Sequence, residues 1–290
     1  MKINEFCRNC LLRKNLQAYP PSASPEQAAA YQKEVRSILD RCSDLSAPEI
    51  TEKMDNLRWD MFGERKDYSG IKQHFNDLML SLEPHMEQQI RNAEDPLKRA
   101  VQYAMAGNYI DFAVVKNVSE DELREKLDTA AGISIDLKIL DDFRSEALRA
   151  RRLVYFTDNC GEIVADKLLI KVLRDINHEL RVTVIVRGKP VVNDATLEDA
   201  MEIRLSEAAH CVIGNGTGMP GNVIGIVSPE AAQEIRQADL LISKGQGNFE
   251  GLSGCGLNIF YLFLCKCDRF MNLFQVPQFT GVMTREGISF

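Results

Sequence analysis

A chain of 290 residues, 45% hydrophobic and 27% charged, has the composition of a globular protein that buries a core without staples, and its length allows one large domain or two ordinary ones. A formal charge of -7 with no block of Lys and Arg excludes a surface that tracks a phosphate backbone, so nucleic acid is not an expected partner. No apolar run approaches the roughly 18 residues of a membrane span, and Met1 to Glu5 lacks a signal-peptide core, so no membrane partner and a cytoplasmic location are expected.

In chain order, Cys7-x-x-Cys10 comes first, with the spacing of a zinc half-site or a redox pair. Ser24-Pro25-Glu26-Gln27 carries a capping serine, a proline at the first helical position and a capping-box glutamine, and leads into Tyr31, Val35, Ile38 and Leu39 on one stripe. Ser46-Ala47-Pro48-Glu49 and Ser119-Glu120-Asp121-Glu122 repeat the device. Helical spacing also runs through Ile71 to Asn92 and Asp95 to Met105. A helical N-terminal domain over residues 1–145 is therefore expected.

From Arg151 the pattern changes to short apolar runs alternating with amphipathic stretches, the signature of a mostly parallel βαβ sheet over residues 146–290. The expected strands are Leu153 to Thr157, Val182 to Val186, Cys211 to Ile213, Leu240 to Ser243 and Asn258 to Leu264. Asp158 and Asn159 follow the first. Arg187-Gly188-Lys189-Pro190 and then Asn193-Asp194 follow the second, Gly214 to Gly218 the third, and Lys244-Gly245-Gln246-Gly247-Asn248 the fourth. In a parallel sheet all four loops open at the carboxyl edge, where such sheets place ligands.

Asp158, Asn159 and Asp194 are hard oxygen donors suited to a divalent ion such as magnesium or manganese. Arg187 and Lys244 supply positive charge, and the glycines at 245 and 247 permit close backbone approach to an anion. Together they describe a metal-bridged phosphate site. Each motif also has a plain structural reading: Asp-Asn after a strand makes turns, and Lys-Gly-Gln-Gly makes surface loops.

The blocks Thr157-Asp158-Asn159-Cys160-Gly161-Glu162, Val186-Arg187-Gly188-Lys189-Pro190 with Asn193-Asp194-Ala195-Thr196, and Ser243-Lys244-Gly245-Gln246-Gly247-Asn248-Phe249-Glu250 resemble the damage-control phosphatase family with its ARMT-like domain, formerly a domain of unknown function (DUF89). Phe6-Cys7-Arg8-Asn9-Cys10 and Gly107-Asn108-Tyr109-Ile110-Asp111 resemble its short archaeal and bacterial branch. The resemblance implies an α/β fold: a three-layer α/β/α domain with a mostly parallel, Rossmann-like sheet, plus a helical N-terminal portion. It also implies a divalent metal (Mn, Mg, Ni or Co) on Asp158, Asn159 and Asp194, and hydrolysis of small phosphate monoesters such as sugar phosphates or damaged metabolites.

On that reading the metal grips a phosphoryl oxygen and activates water, Lys244 neutralises the transferring group, and either water or Asp158 attacks phosphorus. Glu162 either binds substrate or water, or caps the helix that begins there. Arg187, Asn193, Asn215, Thr217, Gly245 and Gly247 are further candidates for substrate contact, and Asn108 and Asp111 reach toward the site from the helical part. The oligomeric state stays open.

Two competing readings remain. One is an S-adenosylmethionine-dependent carboxyl methyltransferase, disfavoured by the absence of an adequate glycine-rich first βα turn; the other is a non-catalytic metal-binding module. Gly216 to Gly221 matches G-x-G-x-x-G, yet Pro220 and an apolar run follow where a helix is needed, so a substrate or lid loop is expected. Cys265 and Cys267 are candidate partners of Cys7 and Cys10 in a zinc site, against the plainer reading of buried thiols. The four histidines form no ligand pair.

Overall fold

A computed structural model of the chain describes residues 1–111 and 119–288. The helical first half comprises α1 (Glu5–Asn15), α2 (Pro25–Arg41), α3 (Ala47–Phe62), α4 (Ser69–Arg91), α5 (Pro96–Gly107), α6 (Glu120–Asp128) and α7 (Leu137–Arg149). The second half alternates: β1 (Arg152–Phe156), α8 (Glu162–Ile176), β2 (Arg181–Val186), α9 (Leu197–Glu202), β3 (Cys211–Gly214), α10 (Pro229–Gln237), β4 (Leu240–Lys244), α11 (Gln246–Leu252), β5 (Ile259–Leu264), α12 (Asp268–Phe274) and β6 (Gly281–Arg285). The capping signals act as expected at α2, where Ser24 and Gln27 exchange hydrogen bonds of 3.2 and 2.9 Å. α1, capped by Asn4, and the antiparallel edge strand β6 carry no such clear sequence signal.

The sheet order is β3-β2-β1-β4-β5-β6, with parallel pairing throughout except at β5–β6. The chain winds outward from β1 to β3 and then returns to lay β4 on the other side of β1. That reversal between β1 and β4 is the crevice where open α/β sheets bind ligands.

Alternation along each strand divides two cores. Leu153, Tyr155, Val182, Val184, Leu240, Ile242, Phe260 and Leu262 face a core shared with α4, α5, α7 and α8. Val154, Phe156, Ile185, Leu241, Tyr261 and Phe263 face the other core, built with α10, α11 and α12. The fold is thus α/β with helices on both faces of the sheet. Each fully buried Phe or Leu contributes about 1.5–3 kcal/mol, so these two layers hold the strand ends in place. α1 to α3 pack around a third cluster centred on Tyr31, Val35 and Leu39. No described helix is long and apolar enough to cross a membrane.

Candidate active site

Past the ends of β1 and β2 the main chain keeps pairing, and this assembles the site. Arg187 N–H donates to Ala195 O, Ala195 N–H to Asp158 O, and Cys160 N–H to Asn193 O, each at 2.8 Å. Asn159 and Asp194 form an antiparallel bridge pair. Two acids distant in sequence are thereby brought together by backbone hydrogen bonds rather than by side-chain choice.

The buried guanidinium of Arg187 lies between them. Its Nε donates to Asp194 Oδ2 at 2.6 Å, its Nη2 to Asp158 Oδ1 at 3.3 Å and its Nη1 to Asn248 Oδ1 at 3.0 Å. Asn159 Nδ2 donates to Asp158 Oδ2 and to Glu162 Oε2, both at 2.9 Å. Asn108, at the end of α5, donates to Asp158 Oδ2 at 3.0 Å and to both Glu162 oxygens, while its own oxygen accepts from Leu264 N–H. The helical half therefore contributes directly to the cluster, as expected of Asn108.

Lys244 is engaged entirely by protein groups. It is the last residue of β4 and shares the face of Leu240 and Ile242, so its side chain runs toward α5 and α8. The ammonium donates to Ala104 O at 2.8 Å, Glu162 Oε1 at 2.5 Å and Asp166 Oδ1 at 2.7 Å, which uses all three protons. Glu162 and Asp166 are one helical turn apart on α8 and meet it together. Tyr155 O–H also donates to Asp166 Oδ1, at 2.7 Å, while Asp166 Oδ2 has no hydrogen-bond partner among the described residues.

Glu162 opens α8 and turns back to accept from Asn159 N–H at 3.3 Å, an arrangement close to the capping alternative. Gly245 has φ +79°, and a Cβ there would fall 1.9 Å from Asp158 Oδ2. Its bare backbone is needed by the carboxylate. Gly247 likewise leaves room for Pro220 O, 2.2 Å from where a Cβ would sit. Gly245→Ala is expected to push Asp158 out of register, lowering activity by about tenfold or more with a measurable fall in Tm; activity assays and thermal melts on the same preparation check this.

Burial raises the Asp158 carboxyl well above the usual range, Asp194 and Glu162 add to it, and Lys266 and Arg187 oppose it. Asp194 is raised to about 6 by burial, against the pull of Arg187. Burial also raises Asp166 to about 7, with Lys244 opposing and Glu162 adding. Burial works against the Lys244 ammonium, but Asp166 and Glu162 outweigh it and hold the group above the ordinary lysine value.

In this cluster four carboxylates, Asp158, Glu162, Asp166 and Asp194, face two cations, Arg187 and Lys244. Lys266 and Lys72 stand nearby but are already matched, to Asp111 at 2.7 Å and to Asp199 at 2.6 Å. The surplus negative charge and the hard oxygen donors fit a divalent cation at Asp158, Asn159 and Asp194.

The remaining expected residues hold loops. Asn193 donates to Ile110 O at 3.0 Å. Asn215 accepts from Gly188 N–H and Thr217 N–H and donates to Asn222, and Thr217 Oγ1 accepts from Met219 N–H. Asp111 stands one ion pair from the cluster, through Lys266.

The cysteines do not assemble as a zinc cage. Among the described residues no three His, Cys, Asp or Glu side chains converge as metal ligands. Cys7 Sγ accepts from Arg269 Nη1 at 3.0 Å, Cys265 lies in the core beside α12, and Cys267 Sγ accepts from Gln246 at 3.7 Å.

Asp166, Asn248 and Lys266 were not among the expected site residues. Asp166 had a readable signal, its i+4 spacing from Glu162 on an amphipathic helix; Lys266 sits at a fifth strand end, after β5, masked by its two flanking cysteines.

The family description "Damage-control phosphatase ARMT1-like domain" matches residues 3–282. A damage-control phosphatase of Archaeoglobus fulgidus is 29% identical over 283 residues, covering 92% of this chain and 93% of that one. One from Pyrococcus horikoshii is 34% identical over 203 residues, covering 66% and 69%. The crystal structure of a DUF89 family protein from Pyrococcus horikoshii superposes with a TM-score of 0.82 at 25% identity, covering 99% of both chains.

Proposed function

Since the chain belongs to the damage-control phosphatase ARMT1-like domain family, we propose that it is a metal-dependent phosphatase acting on small phosphate monoesters, sugar phosphates or damaged phosphometabolites among them. The observation that carries this reading is the meeting of Asp158 and Asp194 across one guanidinium at the β1–β4 crevice, with Asn159 beside them and negative charge in surplus.

Asp158, Asn159 and Asp194 would hold the ion. A divalent cation there supplies Lewis-acid polarisation of a phosphoryl oxygen. Arg187 keeps the two acids in fixed orientation and partly neutralises them. Glu162, itself fixed by Lys244 and Asn108, orients Asn159 through its main-chain and side-chain N–H groups. Lys244 acts on this reading as an anchor of the site floor. Positive charge toward an incoming phosphate comes instead from Arg187, and from Lys266 once its pairing with Asp111 is shared with substrate.

The test is phosphate release from p-nitrophenyl phosphate and a panel of phosphorylated sugars, with Mn, Mg, Ni and Co each added to chelated protein. Turnover is expected only with added ion and is expected to vanish on chelation. Chelator-resistant turnover, or none with any ion and any ester, would overturn the proposal.

A further inference from the structure

At the opposite edge of the sheet, the amino ends of β1 and β2 place two arginines side by side. Arg152 and Arg181 are register partners on adjacent strands, and strand alternation puts them on the face of Val154 and Thr183. Like charges directly opposite one another repel and need a counter-charge. One carboxylate is shared here: Glu234 of α10 accepts from Arg152 Nη2 at 3.2 and 3.3 Å and from Thr183 Oγ1 at 2.9 Å. Arg181 is exposed and forms no ion pair among the described residues.

These side chains line a cavity of about 270 Å³, whose lining is completed by Leu153, Val154, His210 just before β3, and Cys211. The imidazole has a defined polarity. His210 Nδ1 accepts from Val182 N–H at 3.1 Å, so in the neutral ring Nε2 carries the proton as a free donor. Burial first, then Arg174 and Arg181, lower its pKa and favour the neutral ring.

Two guanidinium forks and an imidazole N–H face one lining carboxylate, Glu234. Glu230 stands close enough to add, after burial and Glu234, to the raising of the Cys211 thiol. Asp239 is taken by the main-chain N–H groups of Arg151 and Arg152, so the donors to spare are those of Arg181 and His210. Guanidinium matches the geometry of tetrahedral oxyanions, and the volume suits a phosphate with at most a small organic group. We propose that the chain carries a second anion site at the amino edge of its sheet, in which Arg152, Arg181 and His210 bind a phosphate-class oxyanion, inorganic or as a small ester. Six residues of extended chain separate Arg152 from Asp158, roughly 20 Å, so the site shares no residue with the candidate active site. It does not depend on the phosphatase reading.

The experiment titrates chelated full-length protein in low-salt buffer by calorimetry, with inorganic phosphate in one arm and glycerol 3-phosphate in the other. The expected result is binding that weakens roughly tenfold or more in Arg152→Ala/Arg181→Ala and in Arg181→Ala alone, and tightens several-fold in Glu234→Gln, which removes the competing carboxylate. Asp194→Asn is expected to leave it unchanged. The arm that binds more tightly identifies the source of the anion. Absence of binding in both arms, binding insensitive to the arginine changes, or binding abolished by Asp194→Asn would each overturn the proposal. Arg181 is exposed, so its single variant keeps the test valid if the double variant fails to fold.

Discussion

Asp194→Asn is expected to lower metal-dependent phosphate release by about 10³-fold while leaving the fold as stable as the parent, or more so. The asparagine oxygen can still accept from Arg187 Nε, because only Asp194 Oδ2 is used in that 2.6 Å contact. What disappears is one buried negative charge. Asp194 is held at about 6 by burial and is the second contributor, after burial itself, to the raised carboxyl of Asp158. A carboxyl whose folded value exceeds its unfolded value lowers stability as pH rises through that interval, so at pH 8 its neutral replacement removes a penalty. Loss of one hard oxygen ligand also weakens the metal, by at least ten- to a hundredfold. Activity, metal titration and thermal melts of the chelated protein are read together. Undiminished turnover sinks the ligand assignment, and a collapse in Tm sinks the electrostatic account.

The second large effect concerns the floor of the site. Lys244→Met leaves Glu162 and Asp166 facing each other, buried, with no cation between them. Removing one partner from a buried ion pair costs about 3–5 kcal/mol, which for a chain of this size lowers Tm by roughly 10 °C. The loss carries a pH signature. Asp166 already sits near 7 with Lys244 in place; without it that carboxyl rises further, so the variant becomes less stable as pH climbs from the ordinary carboxylate range through 7 and beyond. The gap to the parent protein is therefore expected to be narrow at pH 5 and wide at pH 8. A variant as stable as the parent at pH 8 would show that the ammonium is not the counter-ion of this pair. Activity is expected to fall as well, through the loosening of Glu162 and Asn159.

Much of the fold was legible. Short continuous apolar runs locate β1 to β5 to within a residue or two, because strands covered on both faces need no alternation, and capping signals locate α2 and α3. The meeting of Asp158 with Asp194 followed from a parallel sheet, since consecutive strand ends must share an edge. The destination of Lys244 did not. Its flanking glycines suggested an anion loop, but one residue of strand register decides whether the side chain faces the crevice or α8, and the helix partner that settles it comes from Ala104, 140 positions earlier. Asp166 was hidden for the same reason: on an isolated helix it is an ordinary polar residue, and only the lysine arriving from β4 makes it part of the site. In the sequence Gly245 reads as room for an anion, whereas in the fold it leaves space for the Asp158 carboxylate.

The bridge between Asn159 and Asp194 has one more implication. Because main-chain bonds hold the two acids in place, the chemistry is insulated from what happens along the rim. In the loop over positions 217 to 224, Pro220 O and Gly221 pack against Gly247, whereas Asn222 belongs to the framework itself, donating to the Asn248 oxygen that Arg187 also uses. An exchange of this loop that spares Asn222 is therefore expected to leave Asp158 and Asp194 where they are.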